Sequence, residues 1–138
     1  MLTSGSPQKA SIHRRVRRQH STELAQDYVE AIYELDEQGG LVRVSDLQEI
    51  FGVSHVTVIR TLKRLEERGL LSSSKSKKIK LTAKGETIAK EAAARHELLR
   101  RFFVALGVSE NQADADAEGA EHHLSEETLT AIRKFLER

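Results

Sequence analysis

The chain has 138 residues, of which 31% are charged, 38% hydrophobic and only 4% aromatic, a balance that suits one or two small domains with an aliphatic core. It has no cysteine, which excludes disulfide staples, zinc ribbons and thiol catalysis. No apolar run approaches the ~20 residues that span a bilayer, and the charged N-terminus lacks the apolar segment of a signal peptide, so a cytoplasmic protein with no membrane partner is expected. The net charge is +1, yet its distribution is uneven. Residues 1–20 carry Lys9, Arg14, Arg15, Arg17 and Arg18 with no acid, residues 63–84 hold eight bases against Glu66 and Glu67, and residues 108–138 hold eight acids against three bases. A basic front and an acidic rear point to two separate tasks.

Residues 1–21, with Ser4, Gly5, Ser6 and Pro7 near the start, read as a flexible basic tail. From Thr22 to about Glu37 the positions Leu24, Tyr28, Ile32 and Leu35 mark an amphipathic helix, which Gly39 and Gly40 end. Leu41 to Val44 is apolar enough for a brief strand. Ser45 then starts a second helix, with Gln48 at capping-box spacing, and Gly52 stops it. Ser54 opens a third helix with the stripe Val58, Leu62 and Leu65, closed by Gly69. Two helices joined by a tight glycine turn, the second longer and basic, form a helix-turn-helix pattern. Lys78 to Thr82 alternates polar and apolar residues, which predicts a hairpin wing with its tip near Lys75–Lys77. Residues 22–82 are thus expected to be a winged helix-turn-helix.

Thr82 can cap a long helix to Leu106, with Ala92, His96, Leu99, Phe103 and Leu106 on one stripe and Gly107 at its end. Ser109 with Gln112 opens a helix to about His123, and Ser125 caps a last one ending near Arg138. The fold class expected is mainly α with a small β-hairpin wing, residues 83–138 forming a second, helical unit.

The third helix carries Ser54, His55, Thr57, Arg60, Thr61, Lys63 and Arg64, mostly opposite its apolar stripe. Hydroxyls and an arginine there suit base edges and phosphates in a DNA major groove, and Lys75, Lys77 and Lys78 at the hairpin tip would sit over backbone phosphates. A basic helix face alone is usually just solvated; the turn, the basic helix and the basic hairpin in that order argue for double-stranded DNA. The arginines of the tail suit either an adjacent minor groove or simple solubility.

Asp27 and Glu30 share one face of the first helix, and Glu118, Glu121 and His122 share one face of the penultimate helix. His96 lies on the long helix between them. Four carboxylates and two imidazoles, without a thiolate, suit manganese or ferrous iron, and four carboxylates carry enough charge for two ions. Both histidines must be neutral to ligate, so affinity should fall as pH drops. Each acid pair taken alone is an ordinary solvated feature, and His96 alone is an ordinary core histidine. A regulator that senses something else, with the acids as structural pairs, is therefore one competing reading. A two-metal hydrolase is another, although no separate acid–base or organic-substrate motif accompanies the cluster, and no enzyme is expected.

These residues lie within segments that resemble the diphtheria-toxin-repressor family. The segments are Ala25 to Tyr33, Arg43 to Leu47, Leu81 to Gly85, Arg95 to Leu99 and Ala117 to Leu124, and the similarity runs from about Glu23 to Arg138. Within the family the chain is more similar to the manganese transport regulators than to the iron-sensing branch. Asp27 stands where the iron branch typically has methionine, and Glu121 where it has cysteine, so hard oxygen replaces softer sulfur. The resemblance implies Asp27, Glu30, His96, Glu118, Glu121 and His122 as metal ligands, with manganese, two ions per subunit, or iron as the alternative. It also implies a homodimeric repressor built through the C-terminal helices, presenting two recognition helices about 34 Å apart to a palindromic operator. The wing tip departs from the family, with Ser74 to Lys77 where relatives often have a glycine.

Overall fold

Six helices make up most of the computed structural model, which describes residues 7–72 and 78–138: α1 (Pro7–Glu37), α2 (Val44–Phe51), α3 (His55–Glu67), α4 (Ala83–Ala105), α5 (Glu110–Ala120) and α6 (Glu126–Leu136). α1 is longer than its sequence pattern predicts. It begins at Pro7 rather than Thr22, so residues 7–21 are helical and not a flexible tail; residues 1–6 lie outside the described residues. Proline is well suited to the first helical position, and no glycine or proline follows until Gly39. With 31 residues, α1 is about 46 Å long.

Of the strand expected at Leu41–Val44, Leu41 to Arg43 are loop and Val44 already opens α2, with Arg43, at extended φ −114° and ψ 153°, as its cap. Asp46 rather than Gln48 closes that cap, its Oδ2 accepting from the Arg43 N–H at 2.9 Å. Ser54, Thr82, Ser109 and Ser125 cap α3, α4, α5 and α6 as their spacing predicts, each accepting from the backbone N–H three residues on. Between α2 and α3 the chain turns at Gly52, whose φ of +63° lies in the left-handed region, where glycine carries no steric penalty.

Of the expected hairpin, the described residues show one antiparallel bridge, Leu71 opposite Leu81, with Ser72 N–H donating to the Lys80 carbonyl at 2.9 Å. No strand is present among the described residues, and the tip at Lys75 and Lys77 lies outside them. The start of α4 presses on this junction. Thr82 Oγ1 donates to the Gly69 carbonyl at 2.7 Å, and a Cβ at Gly85 would collide with the Leu70 carbonyl oxygen.

Two apolar clusters follow. The first joins Ala25, Tyr28, Val29 and Ile32 of α1 to Leu47, Val58, Leu65, Leu70, Leu71 and Ala89. The Tyr28 ring stacks on Phe51 at 4.2 Å between centroids. The second joins Leu99 of α4 to Ala117 of α5 and Leu129 and Ile132 of α6. Each fully buried aliphatic side chain here contributes about 1.5–3 kcal/mol. Leu24 and Leu106, both placed on apolar stripes by their spacing, are instead exposed. The buried face of α1 runs through Ala25, one position round from Leu24, and Leu106 is already the C-cap of α4. Because α4 packs against α1, α5 and α6, it carries the link between the two clusters.

Candidate metal centre and nucleic-acid face

Packing of α4 between α1 and α5 brings all six predicted ligand residues to one place. α1 supplies Asp27 and Glu30, α4 supplies His96, and the end of α5 supplies Glu118, Glu121 and His122. α5 ends at Ala120, short of the expected end near His123. Glu121 nevertheless keeps helical angles (φ −57°, ψ −27°) and donates its N–H to the Ala117 carbonyl, so the helical spacing to Glu118 survives, and His122 follows in the turn.

Glu121 sits in the middle. Its side chain is 0% exposed; Oε2 is 3.2 Å from His96 Nδ1, and Oε1 is 3.3 Å from His122 Nε2. His96 Nδ1 also lies 3.2 Å from Glu118 Oε2, and His122 Nε2 lies 3.0 Å from Asp27 Oδ1. Single donor atoms of His96, Glu118 and Glu121 fall within 4.8 Å of one another, as do those of Asp27, Glu30, Glu118 and Glu121. Buried atoms in this cluster lack a hydrogen-bond partner: Asp27 Oδ1, Glu30 Oε2, His96 Nδ1, both oxygens of Glu121, and His122 Nε2. Unpartnered buried acceptors are costly, and a divalent cation is the group that would satisfy them together. The donor set, carboxylate and imidazole without sulfur, fits a hard or borderline ion.

The electrostatics agree. Burial, then Glu23, pushes Asp27 up to about 6. Burial, then Glu118 and Glu34, pushes Glu30 up to about 7. Burial, then Glu30, Glu118 and Asp27, pushes Glu121 up to about 9. Burial lowers His122, which favours the neutral imidazole that can ligate. Carboxylates crowded without a cation therefore hold protons that a metal would displace.

Three residues of this neighbourhood escaped the sequence analysis. His96 Nε2 is 2.7 Å from Asp114 Oδ1, and His122 Nδ1 is 2.7 Å from Gln26 Oε1. An N–H donated outward to these partners turns the other ring nitrogen, as a lone pair, towards the centre. Glu23 meets Asp27 and His122 in a third donor set. Asp114 and Glu23 each stand four residues before a predicted ligand, a helical spacing that was available; nothing in the sequence pairs Gln26 with His122.

Away from the cluster in sequence, α3 and its cap present Ser54, His55, Thr57, Arg60, Lys63 and Arg64 to solvent, and Lys78 is also exposed. Thr61 is a correction. It is buried on the inner face, and its hydroxyl donates to the Thr57 carbonyl at 2.9 Å, so it is not available to DNA. Val56 and Ile59 were missed; they are 57% and 44% exposed on this helix. Their phase, displaced from Val58, Leu62 and Leu65, was the signal. Exposed aliphatic groups on such a face suit thymine methyls.

A helix-turn-helix bound through α1 and α4 to a carboxylate–imidazole cluster is the plan of a metal-responsive DNA-binding regulator. The chain belongs to the iron-dependent repressor family: the family's N-terminal DNA binding domain matches residues 20–79, and its metal binding and dimerisation domain matches residues 82–138. The transcriptional regulator MntR of Escherichia coli O6:H1 is 45% identical over 125 residues, covering 91% of this chain and 81% of the relative. The HTH-type transcriptional regulator MntR of Bacillus subtilis is 38% identical over 112 residues, covering 81% and 79%. Among solved structures, a manganese-dependent transcriptional repressor in complex with manganese superposes with a TM-score of 0.73 at 32% identity, and the manganese regulator SloR with 0.72 at 28%. This chain spans about half the length of those two, 52% and 53%. Among the described residues no helix is long and apolar enough to cross a membrane.

Proposed function

We propose that the chain is a manganese-responsive transcriptional repressor that acts in the cytoplasm. As a homodimer it binds a palindromic operator when loaded with divalent metal, and it controls manganese transport genes. The observation that carries this is the buried cluster of unpartnered carboxylate and imidazole atoms joining α1 to the end of α5. Asp27, Glu30, His96, Glu118, Glu121 and His122 would hold the metal, two ions per subunit. Ser54, His55, Thr57, Arg60, Lys63, Arg64 and Lys78 meet the DNA, and Lys75 and Lys77, which lie outside the described residues, are expected to join them.

A bound divalent ion would supply positive charge against the repulsion among the carboxylates, and its ligands would join α1 to the end of α5. Because α1 also builds the core beneath the helix-turn-helix, that tie favours one placement of the reading helices over others, a population shift rather than a new contact with DNA. Oxygen donors at Asp27 and Glu121 favour manganese. The same ligands accept ferrous iron, so an iron-responsive repressor is the second reading.

The test is fluorescence anisotropy on the gene's own upstream region, titrated with manganese, ferrous iron and chelator. Manganese is expected to tighten binding by tenfold or more, a coupling of about 1.4 kcal/mol or larger. An equal response to iron replaces the choice of metal. Binding that is unchanged between manganese and chelator overturns the switch.

A further inference from the structure

Glu23 stands on α1 one turn before Asp27, and one donor atom each from Glu23, Asp27 and His122 lies within 4.8 Å of the other two. The His122 side chain is 1% exposed. Its Nδ1 is engaged by Gln26 Oε1 at 2.7 Å, while its Nε2 has no hydrogen-bond partner. That bare nitrogen faces Asp27 Oδ1 at 3.0 Å, which is itself buried without a hydrogen-bond partner. A lone pair and a carboxylate oxygen held this close repel each other unless a positive charge is shared between them. Glu23 reaches the same place from the solvent side: its side chain is 28% exposed, and its Oε2 lies 3.3 Å from His123 Nε2.

We propose that Glu23, Asp27 and His122 form an outer divalent-cation position, in which Glu23 is a metal ligand additional to the six residues named above. This rests on the metal-centre reading and deepens it. Two carboxylates and one neutral imidazole balance the charge of one dication. His96, Glu30, Glu118 and Glu121 are then left to hold the inner ion in a more enclosed setting. The donors of the outer ion come from α1 and the turn after α5, and its third ligand stands at the surface. With fewer donors, one of them part-exposed, this position would bind its ion more weakly than the inner one.

The test is a manganese titration of the full chain, read by the electron paramagnetic resonance of free aqueous manganese, for wild type, Glu23→Gln and Glu34→Gln. Glu34 is exposed one turn beyond Glu30 and belongs to none of the donor sets, so it controls for loss of a nearby charge. Wild type and Glu34→Gln are expected to take up two ions per chain, whereas Glu23→Gln keeps the first and binds the second tenfold or more weakly. A circular-dichroism melt in chelator, unchanged in both variants, confirms that the fold is intact. Superimposable isotherms for wild type and Glu23→Gln overturn the outer position, as does a wild type that takes up a single ion, while the inner centre stands. A wild type that takes up no manganese overturns the centre itself.

Discussion

Replacing Glu121 with glutamine separates the fold from the metal response. The carboxyl is wholly buried with both oxygens unpartnered, and burial, then the neighbouring Glu30, Glu118 and Asp27, pushes it up to about 9. At pH 7 without metal it is neutral, so a carboxamide reproduces its size and charge. The metal-free melting temperature of Glu121→Gln is therefore expected to stay within ~2 °C of wild type, as for a change below about 0.5 kcal/mol. Metal changes the comparison. A ligand at a hundred times its Kd stabilises the native state by about 2.7 kcal/mol. In a chain of this size each kcal/mol moves the midpoint by roughly 3–5 °C, so manganese should raise wild type by about 8–13 °C. Loss of the carboxylate shared by both histidines should weaken binding by ~100-fold or more, since even groups behind the ligands are worth 10–100-fold. The shift then shrinks to about 1–2 °C. The assay is thermal unfolding at pH 7 in chelator and in a fixed excess of manganese. A variant that keeps the full manganese shift refutes the assignment of Glu121. A metal-free midpoint lowered by ~10 °C or more refutes the claim that its resting form is neutral.

Asp27, Glu30 and Glu121 have values raised to about 6, 7 and 9, so the metal-free fold keeps their full contribution below about pH 4 and loses it as pH climbs through 6 to 9. Manganese must expel the same protons, so its affinity should rise across that window by up to ~10-fold per pH unit for each proton released. Calorimetry in buffers of different ionisation enthalpy reads this directly, and a flat profile from pH 6 to 9 contradicts it. Arg60→Ala is expected to cost about 1–3 kcal/mol of operator binding, and Lys63→Ala to reduce the salt slope by about one; an unchanged slope in salt-titrated anisotropy removes Lys63 from the interface. Gly85→Ala forces a methyl against the Leu70 carbonyl and should cost about 1–3 kcal/mol, seen as a lowered denaturation midpoint. An unaltered midpoint means that the contact between α4 and Leu70 yields freely.

What could be read from the sequence follows from which forces are local. Caps at Ser54, Thr82, Ser109 and Ser125, the glycine turn at Gly52 and the apolar phase of α3 depend on near neighbours, and these residues carry them in plain view. The convergence of Asp27, His96 and Glu121 rests on three helices meeting, yet helical spacing with a family resemblance was enough to group them. The start of α1 was missed because a basic, unpatterned stretch looks solvated, although nothing in it breaks a helix after Pro7. Thr61 was misplaced because a hydroxyl can satisfy itself on its own helix at the Thr57 carbonyl and so remain inside. Gln26 was invisible, since its bond to His122 spans 96 positions and no periodicity records it.

Asp27 and Tyr28 are adjacent on α1, yet one faces the carboxylate cluster and the other stacks on Phe51. Phe51 is the last residue of α2, directly before the Gly52 turn that launches α3. The shortest path from the cluster to α3 is thus one peptide unit, one ring pair and one turn. α1 contains no glycine or proline hinge beyond Pro7 to absorb a displacement along it. The helix is therefore one stiff rod: a small rotation about its axis that draws Asp27 inward carries Tyr28, about 100° further round, in the same sense. Stiffness, usually a cost to adaptability, would here set how much of a movement at Asp27 arrives at Phe51.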